Sequence, residues 1–211
     1  MTMKFLVVSD IHASSSALDW INERITRHKV DAVLVLGDVT HFGPMRWALD
    51  FLAALKAPAY VIPGNCDPLE LPREVEKVAT DMHGKSVGLD GFQLVGLGGS
   101  NPTIFNTPFE LSEDEILSRL EAVSSKGMVL MTHTPPFGTH DQIPSGINVG
   151  STAVAEIVQR FSPLVVLSGH VHEARAVTEK DGTLYMNPGP AKDGYAGLLT
   201  LNEGRPEATL I

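Results

Sequence analysis

A single cysteine, Cys66, means that no intrachain disulfide can brace this chain. Dense runs of Lys or Arg are also missing. Sixteen basic residues face 25 acidic ones, a formal net charge of −9, which argues against a protein that grips nucleic acid through its phosphates. A small phosphorylated substrate stays open as a partner. No apolar run approaches the roughly twenty residues needed to cross a bilayer, so membrane insertion is not expected. The first ten residues lack both the long apolar core and the small-residue cleavage site of a signal peptide. A cytoplasmic location is the plain expectation. Repeats, low-complexity linkers and composition breaks are absent, and 211 residues suffice for one full core, so a single domain over 1–211 is expected.

What is present is a run of short apolar segments. Residues Lys4 to Ser9 form a β-branched stretch suited to a strand buried on both faces, ending in Asp-Ile-His. Ser14, Ser15 and Ser16 offer helix caps before Ala17, Leu18, Ile21 and Ile25, which recur at helical spacing. Asp31 to Leu36 predicts a second strand, Met45 to Leu55 a helix behind Pro44, and Ala59 to Ile62 a third strand. This β-α-β-α-β order predicts a parallel sheet. Asp90-Gly91 then marks a hairpin between Lys85–Leu89 and Phe92–Gly96.

A long Gly-, Pro- and Asn-rich loop follows through Pro108, of a length that is often functional. Ser112 and Glu115 make a capping box for a helix from Leu111 to about Val123. Met128–Thr132 and Leu164–Leu167 read as buried strands on either side of a helix at Thr152–Arg160. The tail, with segments Ala174–Thr178, Thr183–Asn187 and Tyr195–Leu201, reads as antiparallel strands that complete a second sheet. The expected architecture is α/β, a two-sheet sandwich flanked by helices.

Five of these strands end in residues that can bind a metal: Asp10 and His12, Asp38, Asn65, His133, and His170 with His172. Sites in open α/β sheets form beyond the carboxyl ends of the strands, so residues far apart in sequence would converge there. The alternate spacing of Asp10 and His12, and of His170 and His172, would put each pair on one side of an extended chain. Gly37, Gly64 and Gly169 stand where tight turns and close backbone approach are needed. Taken singly, each fragment has an ordinary reading as a turn or a cap. Their order at successive strand ends favours the metal reading.

That ordered set, D-x-H, G-D, G-N, H and G-H-x-H, resembles the calcineurin-like metallophosphoesterase family. The stretches Gly37–Pro44, Gly96–Leu111 and Met131–Pro136 look like small archaeal-type phosphoesterases related to cyclic-nucleotide phosphodiesterases. The resemblance implies an α-β-β-α sandwich and a hydrolase with two divalent ions. Asp10, His12 and His172 would ligate the first ion, Asn65, His133 and His170 the second, and Asp38 would bridge them. A bridging carboxylate offsets the repulsion of dications about 3.5–4 Å apart. Attack on phosphorus by a water or hydroxide between the ions is implied. Mixed N and O ligands suit manganese first, with iron, nickel, cobalt or zinc as alternatives. Relatives are often dimers, so a homodimer is a further expectation.

One departure bears on mechanism. Many members follow Gly-Asn with a His that contacts the phosphate or leaving group, where this chain has Cys66 and then Asp67. A thiol is a poor substitute for a cationic donor. The expectation is therefore a phosphodiesterase preference over monoesters, with His41 or His140 supplying the missing donor. Members without that His include inactive scaffolds, so a non-catalytic interaction module on the same fold is the alternative. His28 and His83 are expected to be structural or surface residues, and Asn101 and Asn106 are candidates to line the pocket or to serve as turn residues.

Overall fold

The computed structural model describes residues 2–202 and 205–211. The first half carries β1 (Met3–Val8), α1 (Ala17–His28), β2 (Ala32–Val35), α2 (Met45–Ala53), β3 (Ala59–Val61), α3 (Leu71–Val75) and β4 (Thr80–Asp81). Then come β5 (Lys85–Leu89), β6 (Phe92–Leu97), α4 (Glu113–Glu121), β7 (Val129–Thr132), α5 (Thr152–Phe161) and β8 (Val165–Leu167). The tail adds β9 (Ala176–Lys180), β10 (Thr183–Asn187), β11 (Gly197–Leu201) and β12 (Glu207–Leu210).

Two six-stranded mixed sheets result, in the orders β12-β11-β1-β2-β3-β4 and β5-β6-β7-β8-β10-β9. Alternation along each strand explains why they stack. In β1, Leu6 and Val8 face a cluster shared with Ile21 of α1 and Phe51 of α2, while Phe5 and Val7 face a second cluster between the sheets. In β7, Val129 and Met131 enter that inter-sheet core, and Leu130 faces Ile116 of α4 and Ile157 of α5. Strands with apolar residues on both faces need cover on both, which gives the helix-sheet-sheet-helix layering expected from the sequence. Among the described residues no helix is long and apolar enough to cross a membrane.

The capping box at Ser112 and Glu115 is present. Ser16 sits at the N-cap of α1 but its side chain makes no capping bond. The tail departs from expectation. Only β9 and β10 join the second sheet, with β10 parallel to β8, while β11 returns to pair antiparallel with β1 and carries β12 on its far side. The first sheet would otherwise expose the edge of β1, and the tail covers it. α3, β4 and β12 are too short for a periodic signal and were not anticipated.

Candidate metal centre

The parallel strands β1, β2 and β3 of one sheet and β7 and β8 of the other end on the same side. Past the strand ends, Asp10 N–H donates to Gly37 O at 3.0 Å and His12 N–H to Asp38 O at 2.8 Å, so the first two loops stay zipped together. Gly169 N–H donates to His133 O at 3.0 Å and ties the loops of the second sheet in the same way. The extended-chain expectation for the paired ligands is overturned. Asp10, His12 and His170 have φ of 55°, 48° and 65°, and His172 opens a short 3-10 turn. Left-handed backbone, which costs energy in non-glycine residues, turns these side chains inward.

The two carboxylates divide their oxygens between backbone and site. Asp38 Oδ1 accepts from Cys66 N–H at 2.8 Å, and its Oδ2 lies 3.7 Å from His12 Nε2 and 3.6 Å from His133 Nε2. Asp10 Oδ2 accepts from His170 N–H at 3.1 Å, and its Oδ1 lies 3.2 Å from His172 Nε2 and 3.8 Å from His12 Nε2. His12 Nε2 and His172 Nε2 are 3.4 Å apart, and the His133 and His170 rings are 5.1 Å apart, edge to face. Every side chain assigned to a metal by sequence thus reaches one pool, buried at Asp10, Asp38, Asn65 and His133 and partly open at His12, His170 and His172. Close approach is obligatory here. A Cβ on Gly64 would fall 2.0 Å from Asp38 Oδ1, and one on Gly37, whose φ is 97°, would fall 2.8 Å from His133 Nδ1.

Burial shapes the charges. It pulls His12 down to about 4 and His170 to about 3, so both imidazoles are neutral with free lone pairs at pH 7. Burial pushes Asp38 up to about 7. Burial would also raise Asp10, but its hydrogen bond with His172 and the charge of His133 outweigh this and hold it well below the usual carboxylate range. His172 is raised by that same bond.

A chain of hydrogen bonds fixes which atoms face the pool. Glu110 Oε1 accepts from Thr107 Oγ1 at 2.6 Å, Thr107 N–H at 2.8 Å and Thr103 Oγ1 at 2.6 Å. Burial alone would raise Glu110, yet these donated bonds hold it below its ordinary value, so it stays an acceptor. The one proton of Thr107 therefore goes to Glu110, and its oxygen can only accept from Asn65 Nδ2, 3.0 Å away. Asn65 Oδ1 must then point at His133 Nε2, at 2.9 Å. His133 Nδ1 is 2.7 Å from Leu36 O, which can only accept, so Nδ1 carries a proton and Nε2 is the nitrogen turned toward Asn65 Oδ1 and Asp38. Asn65 Oδ1 and His133 Nε2, 2.9 Å apart beside the buried Asp38 carboxylate, bring an amide oxygen, an imidazole nitrogen and a carboxylate oxygen to one point. The donor set of carboxylates, neutral imidazoles and an amide oxygen suits divalent transition metals.

His41 is exposed, yet it lies at the rim. Its ring meets that of His12 edge to face at 5.4 Å, and ligand atoms of His12, His41 and Cys66 fall within 4.8 Å of one another. Cys66 is buried, and burial with the nearby Asp38 raises its thiol far above the usual range, so it is a neutral thiol. His140 sits elsewhere on the surface, with Nε2 3.0 Å from Thr178 Oγ1 and its ring against Tyr185. His83 is structural, as expected: Nδ1 accepts from Gly98 N–H at 3.2 Å. Asn101 is spent on scaffolding, accepting from Thr134 Oγ1 at 2.7 Å and donating to Val149 O at 3.3 Å. Asn106 is exposed at the loop surface with φ 48°.

Sequence reasoning missed Asp67, Thr107 and Glu110. Asp67 is fully buried and accepts from Val39 N–H at 3.1 Å, Thr40 N–H at 2.7 Å, Gly64 N–H at 2.8 Å and Thr40 Oγ1 at 2.9 Å, clamping the Asp38 loop to the Asn65 loop. Its place two residues after Asn65 was the available signal.

Parallel strands from two packed sheets that end on one pool of carboxylates, imidazoles and an amide are the layout of a metallophosphoesterase sandwich. The chain belongs to the calcineurin-like phosphoesterase family, whose family model matches residues 3–174. An uncharacterized protein of Methanocaldococcus jannaschii is 32% identical over 197 residues, covering 89% of this chain and 88% of that one. Two solved structures are similar in fold alone. An archaeal phosphodiesterase matches with TM-score 0.61 at 18% identity, over 99% of this chain and 100% of that one. A dimetal phosphatase from Danio rerio matches with TM-score 0.66 at 12% identity, over 99% of this chain and 95% of that one.

Proposed function

We propose that this chain is a metal-dependent phosphoesterase that hydrolyses small phosphodiesters, cyclic nucleotides among the candidates. Asp10, His12 and His172 would hold one divalent ion, Asn65, His133 and His170 a second, and Asp38 would stand between them. When bound, the ions would supply Lewis acidity to phosphate oxygens and lower the pKa of a water toward neutrality. Manganese is the favoured metal, with iron, nickel, cobalt or zinc as alternatives. The single observation that carries this reading is the fixed apposition of Asn65 Oδ1 and His133 Nε2 beside Asp38, three kinds of ligand atom gathered at one point.

The diester preference rests on Cys66. A neutral buried thiol cannot neutralise the extra negative charge of a monoester dianion, whereas a diester carries one charge fewer. His41, touching both His12 and the Cys66 position, is the group we assign to proton donation at the leaving oxygen. His140, engaged with Thr178, is set aside. A reduced, buried lone cysteine accords with the cytoplasm as the working compartment.

The test is metal content by mass spectrometry together with nitrophenyl mono- and diester hydrolysis in manganese. Two ions per chain and faster diester turnover are expected. Faster monoester turnover would refute the preference, and neither binding nor turnover would leave the non-catalytic scaffold standing.

A further inference from the structure

Beside the proposed centre lies a surface cavity of about 270 Å³, lined by Phe42, Pro68, Leu69, Glu70 and Pro108. Each wall belongs to a loop that also serves the site. Phe42 follows His41, their rings 4.6 Å apart, and its N–H donates to Cys66 O at 3.0 Å. Pro68 and Leu69 follow the clamp residue Asp67, and Pro108 follows Thr107, which holds the Asn65 amide. The cavity is therefore one ring removed from His41, on the side where we place departure of the leaving group.

Its chemistry is unusual for a phosphate site. No Lys or Arg lines it, and the one charged residue, Glu70, is acidic. Phe42 and Leu69 are 57% and 61% exposed, although large apolar side chains gain by burial. Phe42 also has φ 65°, a left-handed conformation that a bulky residue adopts at a cost. An aromatic ring held in a costly conformation, tilted by 52° against His41 and more than half exposed, keeps a face that a bound ring would cover.

We propose that this cavity is a subsite for an uncharged aromatic leaving group, an aryl or nucleobase-bearing ester, stacked on Phe42 and flanked by Leu69 and Pro108. Glu70 repels a second phosphate or carboxylate at that end, so polyphosphorylated and phosphopeptide-like substrates are excluded by charge. The proposal rests on the phosphodiesterase reading and adds to it the kind of group that leaves.

The test compares methyl nitrophenyl phosphate with methyl trifluoroethyl phosphate, following release of methyl phosphate by phosphorus NMR in the manganese-loaded protein. Wild type is compared with Phe42→Ala and Leu69→Ala, so that intrinsic leaving-group differences cancel. The aryl-to-fluoroalkyl ratio of kcat/KM should fall about tenfold in Phe42→Ala, mostly through KM for the aryl ester. An unaltered ratio, or an equal loss for both esters, overturns the subsite. Should neither ester be turned over, the proposed function fails, and calorimetry decides the subsite separately. Methyl benzylphosphonate should then bind tighter than methyl ethylphosphonate in wild type and lose that advantage in Phe42→Ala. Equal affinities in wild type overturn the subsite on its own.

Discussion

Asn65 donates its amide N–H to the hydroxyl of Thr107 at 3.0 Å, and that contact decides which end of the amide faces His133. Thr107 has its own proton committed to Glu110, so the order of donors is forced from a surface loop into the candidate centre.

Thr107→Val should therefore free the amide to flip and turn an N–H toward the cation. Removing a partner that orients a ligand typically costs about 10- to 100-fold in metal affinity. Calorimetry with manganese should find one of two sites weakened, with Thr107→Ser restoring it. Both sites unchanged in Thr107→Val would show that the hydroxyl does not orient the amide.

Gly64→Ala places a methyl group 2.0 Å from Asp38 Oδ1 against rigid backbone. Either the carboxylate or the Asn65 loop must move, and catalysis tolerates neither. Turnover should drop by about two orders of magnitude or more while the circular dichroism spectrum stays native. An active Gly64→Ala enzyme would mean that Asp38 need not sit where it does.

At the rim, His41→Ala should lower diester turnover by about 100-fold. Cys66→His should raise monoester hydrolysis, because an imidazolium would face the dianion beside Asp38. If Cys66→His matches wild type on monoesters, the missing donor acts from another position.

His83 predicts an acid sensitivity separate from the centre. Burial pulls it from 6.5 down to about 4, so the unfolded chain takes up a proton that the folded chain refuses. Stability is complete above the unfolded value and declines as pH falls from 6.5 toward 4, by about 3 kcal/mol. His83→Gln can still accept from Gly98 N–H, and urea titrations of the metal-free protein should find a flatter decline in that variant. Parallel declines would assign the sensitivity to other groups.

Much of the fold was legible because it is written in two-sided apolar strands. β1, β2 and β7 each carry core residues at both parities, and the glycines at 37 and 64 mark the close approaches behind the ligands. What escaped was non-local. β11 reads as one more antiparallel strand, and nothing in Gly197–Leu201 says that it pairs with β1 instead of the preceding strand β10. The bends at Asp10, His12 and His170 depend on tertiary hydrogen bonds, so an extended chain was the wrong local picture even though it gathered the correct residues. Glu110 and Thr107 resemble ordinary loop polars, and only their distances reveal the order in which protons are committed.

The candidate ligands are drawn from both layers of the sandwich: Asp10, His12, Asp38 and Asn65 from one sheet, His133, His170 and His172 from the other. Apart from the centre, these layers adhere through greasy contact between residues such as Phe5, Leu34, Met131 and Leu167. Cations seated there would act as rivets through the two plates, and each bound ion would shift the folding equilibrium by mass action. Scarcity of the metal would then loosen the whole body as well as silence its chemistry, making the abundance of this protein a gauge of the ion supply around it.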